Sequence, residues 1–288
     1  MNWLNAVVAG VLVGGLYALY ATGLSVSFGV MRLVNLAHGD LAVMAAFLSS
    51  TLVLSAGGSP FWTILVLLPV GFLVGLALQR VVFDRLVGVD PAFQIVATFG
   101  LSIVIQNALL RVYSADRRAL DVGKLKVDSV SIGDLSIGVF PLLRFLVAVA
   151  VLVSLSLFLG RTKLGRAFRA TSDDPVAARL MGINNRTIYM VATGIAVSTV
   201  FLAGVFNGAQ TNFATSDGPG LLIFAFEAVI IGGLGSLWGT LAGGIVLGLA
   251  QTLGAEQFTD WPSQLFGHVL FLVVLAVRPN GLFGRVEA

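Results

Sequence analysis

The sequence has no cysteine and little charge. Without cysteine there are no disulfides, no thiol nucleophiles and no cysteine-ligated metal sites. Only 11% of the 288 residues are charged, whereas soluble proteins carry about 25%. Together with a mean hydropathy of +0.97, this shortage of charge indicates an integral membrane protein.

The absence of several sequence motifs argues against some classes of function. No G-x-x-x-x-G-K-[ST] phosphate loop occurs, since GRTKLGR at 160–166 does not fit it, so the chain is not expected to hydrolyse ATP. His38 and His268 are the only histidines, and no HExxH motif or nucleophile set accompanies them, which disfavours a membrane enzyme. The pI near 9.6 does not indicate nucleic-acid binding, because the basic residues fall between apolar runs, as in membrane proteins.

What the sequence does contain is a series of eight apolar runs. They cover residues 3–29, 38–56, 61–79, 93–110, 138–159, 187–206, 221–253 and 264–277. A membrane helix needs about 20 residues, so the 221–253 run is too long for one span and is expected to break at Gly232, Gly233 and Gly235. The first run is long enough to be tilted, or broken past Gly23 or Gly29. The prediction is an all-α membrane protein of eight to nine segments.

The distribution of basic residues predicts the orientation. Segment 161–186 holds six of the seventeen Lys and Arg residues against two Asp, which marks it as cytoplasmic. Loop 111–137 then lies outside, with the N-terminus outside and the C-terminus in the cytoplasm. No internal repeat is clear, and residues 1–288 are interpreted as a single transmembrane domain.

The polar segment 161–186 contains the start and stop of a short helix. Asp174 before Pro175 is a strong helix start, and Gly182 is a strong stop. The two turns between them, PVAARLM, would not be stable alone in water. The segment is therefore either an ordinary loop with an incidental turn or a helix that docks on a cytoplasmic partner.

Several stretches resemble one transporter family. The Ala177–Ala178 pair, with Gly182 four residues later, has the spacing of the EAA-type loops that couple ABC importer permeases to their ATPases, although Val176 replaces the Glu. Three further stretches carry the same resemblance: GLYALYATGLSVSFGVMRLVNLAHGDLAVMAAF (15–47), ATFGLSIVIQNALL (97–110) and EAVIIGGLGSLWGTLAGGIVLGL (227–249). The chain thus resembles the permease subunits of branched-chain amino-acid ABC importers.

The resemblance implies a set of partners and a mechanism. It implies cytoplasmic ABC ATPases, which would hold ATP and magnesium, a second homologous permease and a periplasmic binding protein, at the inner membrane of a bacterium. This chain itself would hold no cofactor and no metal. Transport by alternating access would be driven through helix 173–183, and the substrate would be a leucine-type amino acid, another amino acid, or urea or an amide. The expected ATPase-coupling residues are Asp174, Pro175, Ala177, Ala178, Leu180, Met181 and Gly182.

Polar residues within apolar runs are candidates for the pathway or gate. A carboxylate such as Glu227 is costly in a membrane and usually faces a cavity or a partner, or forms a structural ion pair. The remaining candidates are Arg32, Asn35, His38, Gln106 and Asn107. Gly239 and Gly243, with Gly232, Gly233 and Gly235, are expected to serve helix packing or the helix break.

One alternative needs no ATPase. A secondary transporter or channel could use Glu227 and the broken 221–253 segment as an ion or proton site. In that scheme the short helix of 175–181 has no necessary role, so copurification with an ATPase would distinguish the two hypotheses.

Overall fold

The chain folds almost entirely into helices. The computed structural model describes residues 3–133, 135–258 and 261–283, and within them there are eleven α-helices and one β-hairpin. The helices are α1 (Trp3–Met31), α2 (His38–Ala56), α3 (Thr63–Val81), α4 (Pro91–Tyr113), α5 (Val139–Arg161), α6 (Lys163–Asp173), α7 (Pro175–Leu180), α8 (Asn185–Gln210), α9 (Gly218–Gly232), α10 (Leu237–Gln257) and α11 (Ser263–Val277). Strands β1 (Ser129–Ile132) and β2 (Leu135–Gly138) pair antiparallel.

Nine of these helices are apolar, which confirms the predicted all-α membrane fold. Seven are long enough to cross a membrane, namely α1, α2, α3 with its flanking turns, α4, α5, α8 and α10, while α9 and α11 are shorter. The 221–253 run breaks where predicted: α9 ends at Gly232, and Gly233 and Gly235 have φ of +101° and +80° before α10 begins. The first run is a single helix with no break at Gly23 or Gly29.

The two ends of the bundle differ in their connections. The β-hairpin and the ends of α4 and α8 lie on one side, here called the hairpin side, where Arg118 and Phe213 form a backbone bridge. Helices α6 and α7 lie on the other, here called the α7 side. Helix α6 occupies residues that the sequence analysis left as loop, and only α7 was predicted. Both chain termini, whose sides of the membrane were predicted, lie outside the described residues.

The first and last four helices pack in the same pattern. Helix α1 packs along α10, and its equivalent α8 packs along α3 in the same way. Likewise α2 packs on α8 and α9 packs on α1, while α4 packs on α2 and α11 packs on α9. Because α1 and α8 run antiparallel, with Val26 packed near Ile188 and Gly23 beside Ala196, the two halves are inverted relative to each other. The sequence shows no clear repeat, so the inverted repeat is visible only in the packing.

Glycine lets the central pairs of helices approach closely. A Cβ at Gly14 of α1 would clash with the backbone of α10 at Ile245, and one at Gly75 of α3 would clash with α8 at Gly194. Helices α1 and α8 are the most buried spans, whereas α3, α4 and α5 turn large apolar side chains outward. This arrangement places α2 and α9 at the centre, each beginning inside the bundle.

Candidate functional site

Two non-helical segments enter the bundle from opposite sides and meet at its centre. Residues 32–37 lead from α1 into α2 on the α7 side, and residues 211–217 lead from α8 into α9 on the hairpin side. The first residues of α2 and α9 touch there, because a Cβ at Gly39 would overlap the Gly218 carbonyl. Non-helical backbone at this depth is tolerated where protein surrounds it or where it lines a cavity.

The predicted residues of the first segment serve mainly to fold it. Asn35 Oδ1 accepts a hydrogen bond from Ala37 N at 3.0 Å, and His38 Nε2 lies 3.0 Å from the carbonyl oxygen of Tyr20. Both side chains are buried. Arg32 is exposed and has φ of +52°, which turns the chain away from the end of α1.

A buried carboxylate that the sequence analysis did not select lies beside them. Asp40, in the first turn of α2, is 1% exposed, and its Oδ2 accepts a hydrogen bond from Ser102 Oγ at 2.5 Å. Gln106 Nε2 donates to the same Ser102 hydroxyl at 3.0 Å. Ser102 is the middle residue of α4, so this polar line lies about halfway through the membrane-spanning bundle.

The polar line ends at a small surface pocket. A cavity of about 110 Å³ is lined by Gln106, Asn107, Leu110, Thr215 and Ser216, which join α4 to the segment before α9. Asn107 is exposed and donates to the carbonyl oxygen of Ile103 in its own helix at 2.8 Å. The structure therefore brings the predicted Gln106 and Asn107 together at one pocket, but not with Glu227.

Glu227 belongs to a second polar cluster. It is 3% exposed, and its Oε1 is hydrogen-bonded with His268 Nδ1 of α11. Nearby, Tyr17 OH donates to Gln251 Oε1 at 2.6 Å, and the Phe224 ring stacks against both Tyr17 and His268. Glu227 thus has a polar neighbour and does not face lipid. The partner His268, 41 residues along the chain, could not be identified from sequence.

An arginine lies buried on the α5 side of Tyr17. Arg144 is 2% exposed, and its Nη2 donates to the Leu12 carbonyl at 3.4 Å. A buried charge is costly unless paired or hydrogen-bonded, so this arginine marks another polar region between α1 and α5. Arg144 was not predicted to be functional, because in the sequence it resembles an ordinary basic residue near the end of a membrane span.

The short helix α7 has well-formed caps at both ends. Asp174 Oδ1 accepts from the N–H groups of Val176 and Ala177 at 2.8 and 3.0 Å. At the other end Gly182 has φ of +84°, Gly182 N donates to Arg179 O, and Ile183 N donates to Ala178 O. These two bonds form a Schellman motif, so the predicted start and stop residues act as expected on the backbone.

The exposed surface of α7 differs from the predicted set of ATPase-coupling residues in one respect. Ala178 is 3% exposed and packs against its own chain, whereas Leu180 and Met181 are 84% and 83% exposed. Val176 and Ala177 are exposed as well. The surface that α7 offers to another molecule is therefore made of Val176, Ala177, Leu180 and Met181.

One polar contact ties α7 to α8, and a second ties α8 to the turn after α3. Asn185 Nδ2, in the first turn of α8, donates to the Pro175 carbonyl at 2.6 Å. Next to it, Arg186 Nε donates to Asp84 Oδ2 at 2.6 Å, which links α8 to the turn after α3. A pocket of about 370 Å³ opens between these elements and includes Arg179 and Tyr189 in its lining.

The predicted glycines lie where α9 and α10 meet. Gly232 and Gly239 face each other so closely that a Cβ on either would overlap the other's carbonyl, and Gly243 is similarly close to Ala228. Gly235 sits against Gly29 at the end of α1. These contacts make them packing and helix-break residues in the structure.

Comparison with known proteins agrees with this architecture. A family model described as the permease component of branched-chain amino acid transport systems matches residues 6–277. The chain is 31% identical to the high-affinity branched-chain amino acid transport system permease protein BraD of Pseudomonas aeruginosa, over 99% of this chain and 97% of BraD. It is 26% identical to LivH of Escherichia coli (strain K12), over 100% and 97% of the two chains.

A shorter similarity reaches a second permease of the same bacterium. The chain is 32% identical to the high-affinity branched-chain amino acid transport system permease protein LivM of Escherichia coli (strain K12), over 48% of this chain and 34% of LivM. No solved structure matches the chain. On the family match and the full-length similarity to BraD, the chain belongs to the family of branched-chain amino-acid transport system permease components.

Proposed function

We propose that the chain is the membrane-spanning subunit of an ATP-driven importer that moves branched-chain amino acids across the inner membrane by alternating access. The α7 side then faces the cytoplasm, because it carries the basic residues of 161–186. ATP and magnesium are held by separate ATPase subunits, and a periplasmic binding protein delivers the amino acid on the hairpin side. This chain contributes the pathway and the contact with the ATPase.

The observation that carries the proposal is the exposed apolar surface of α7. Leu180 and Met181 project from a helix of six residues, and a helix this short is marginal in water without a partner surface. Its caps fix the backbone, so the surface is presented in one orientation. A rigid apolar projection beside basic residues fits a groove on a soluble cytoplasmic protein such as an ATPase.

The polar contacts of α7 give the docked ATPase a way to act on the membrane helices. The Asn185–Pro175 hydrogen bond ties α7 to the start of α8, and the Arg186–Asp84 ion pair ties α8 to the end of α3. A displacement of α7 is then passed to α8 and α3, which pack along each other through Gly75 and Gly194. Movement would therefore reach the centre of the bundle through packed helices.

A second permease completes the pathway. Gln106 and Asn107 of α4 and Ser216 of the segment before α9 form a polar surface, although α4 otherwise carries apolar side chains outward. Polar groups at membrane depth rarely face lipid. We infer that a homologous permease covers this surface, so that the pocket opens into a pathway between the two subunits. The similarity to LivM, a second permease, supports a homologous partner.

The test compares two charge insertions at exposed apolar residues. Leu180→Glu alters the docking surface of α7, and Val127→Glu places the same charge on the hairpin side, where Val127 is 79% exposed. In the complex with ATPases, second permease and binding protein, Leu180→Glu should lose the ATPase during purification and abolish ATP-driven leucine uptake, whereas Val127→Glu should retain the ATPase. Normal ATPase retention by Leu180→Glu would refute the docking proposal. Uptake without any ATPase, driven by a proton gradient, would favour a secondary transporter that uses Glu227.

A further inference from the structure

Asp40 is a buried carboxylate with one oxygen that has no hydrogen-bond partner among the described residues. Ser102 Oγ donates to Oδ2, but Oδ1 accepts no hydrogen bond from any residue that the structure describes. The free oxygen lies against Gly218, where a Cβ would overlap it. A buried polar atom without a partner is costly, so an oxygen in this position is explained best if it has a ligand during the working cycle.

The start of α9, beside this oxygen, is also incompletely paired. Asp217 precedes the helix but does not cap it, because its Oδ2 accepts from Ala214 N at 2.8 Å. The first N–H groups of a helix have no partner within the helix and carry partial positive charge. In α9 these are the N–H groups of Gly218 and Gly220, because Pro219 has none. Gly220, in this first turn, is exposed and has open space where a side chain would be. Hydrogen-bond donors and a free carboxylate oxygen therefore lie side by side.

This pairing of opposite charges matches one class of ligand. A free amino acid carries an ammonium and a carboxylate on the same carbon atom, whereas urea and simple amides carry neither charge. We propose that Asp40 and the N-terminus of α9 recognise the backbone of a free amino acid within the pathway. Asp40 Oδ1 accepts hydrogen bonds from the ammonium group, and the N–H groups at the start of α9 donate to the carboxylate.

The helix N-termini around Asp40 favour a negative charge at this position. The N-termini of α2 and α9 meet here, as shown by the contact between Gly39 and Gly218, and helix N-termini favour anions. In transporters built from inverted repeats, substrate sites lie near the membrane midplane, where interrupted helices expose their ends. Asp40 occupies that position, beside the middle residue of α4.

A polar route connects the site with the surface pocket. Ser102 bonds to Asp40 and accepts from Gln106, which lines the pocket with Thr215 and Ser216. Ser216 is exposed and lies two residues before Gly218. Hydrogen-bonding groups therefore continue from the pocket to Asp40. The inference rests on the proposed function and assigns the groups that bind the ammonium and the carboxylate of its substrate.

The first experiment removes the charge and keeps the shape. In proteoliposomes holding the complete complex, Asp40→Asn should lower ATP-driven leucine uptake at least about tenfold, since a hydrogen bond to a charged group is lost, while ATPase retention stays normal. Asp121→Asn, the same change at an exposed loop residue, should leave uptake within about twofold of the unaltered complex. Uptake by Asp40→Asn within that twofold range would overturn the inference.

The second experiment does not depend on the folding of an Asp40 variant. Because the chain has no cysteine, Ser216→Cys gives a single thiol at the pocket of this subunit. In the detergent-solubilised complex without ATP, leucine should slow its labelling, whereas equal concentrations of isocaproate, which lacks the ammonium, and isoamylamine, which lacks the carboxylate, should not. No protection by leucine, or equal protection by either analogue, would overturn the inference. Failure of the unaltered complex to import leucine with ATP would instead refute the proposed function.

Discussion

Replacing Gly182 by valine tests α7 without touching any membrane helix. Gly182 has φ of +84°, and a Cβ built there meets nothing within 4 Å. The cost therefore comes from the backbone alone, since a left-handed conformation costs a residue with a Cβ about 1–2 kcal/mol. That free energy corresponds to a factor of about 5–30 in the population of the native cap.

The loss of this cap should weaken ATPase docking. Both closing hydrogen bonds, Gly182 N to Arg179 O and Ile183 N to Ala178 O, need the left-handed residue. We expect faster amide exchange across residues 175–181, and an ATPase that dissociates during purification from a permease that is inserted normally. Gly182→Asn should give a smaller effect, because asparagine tolerates this conformation better.

A matched control separates the backbone effect from the added side chain. Gly160, in the last turn of α5, also has open space around its Cβ position but a helical backbone. Gly160→Val should keep the ATPase and leave amide exchange in 175–181 unchanged. The reasoning is wrong if Gly182→Val and Gly160→Val retain the ATPase equally well, or if exchange in α7 is the same in both.

Two further predictions concern the membrane region and its orientation. Glu227→Gln should reduce uptake strongly, with a loss of about 1.5–3 kcal/mol in the free energy of unfolding for a hydrogen bond to a charged group. Full uptake by a stably inserted Glu227→Gln protein would remove Glu227 from the functional residues. In intact cells an impermeant thiol reagent should label Val127→Cys, and should label Lys163→Cys only after the membrane is permeabilised. The reverse pattern would invert the proposed topology.

Local backbone chemistry explains which features could be predicted from sequence. Asp174, Pro175 and Gly182 determine α7 through contacts within ten residues, and Gly233 and Gly235 end α9 by their own conformations. Helix α6 was missed because its many polar residues resemble a loop. Its helix becomes evident only once Phe168 is seen buried against the ends of the membrane helices.

The central site could not be predicted for a different reason. Asp40 contacts Ser102, which is 62 residues away in the sequence, and Glu227 contacts His268, which is 41 residues away. Neither pair can therefore be recognised from the spacing of neighbouring residues. Asp40 was not selected from the sequence, and its importance appears only when α4 and α9 are packed around it. Ala178 was predicted to dock on the ATPase, but it is buried against its own chain. Its burial also depends on tertiary contacts, which the local sequence does not show.

In the alternating-access cycle proposed above, the inverted packing of α1–α4 and α8–α11 has a consequence for the shape of the second conformation. The helices of one half run in the opposite direction to their equivalents in the other half, and both halves pack in the same pattern. We expect the other conformation to be the one in which the two halves exchange those directions. Helices α2 and α9 differ in length, 19 residues against 15, so only their tilts can be exchanged. The two halves would then rock about the contact of Gly39 with Gly218, and no helix would have to unfold.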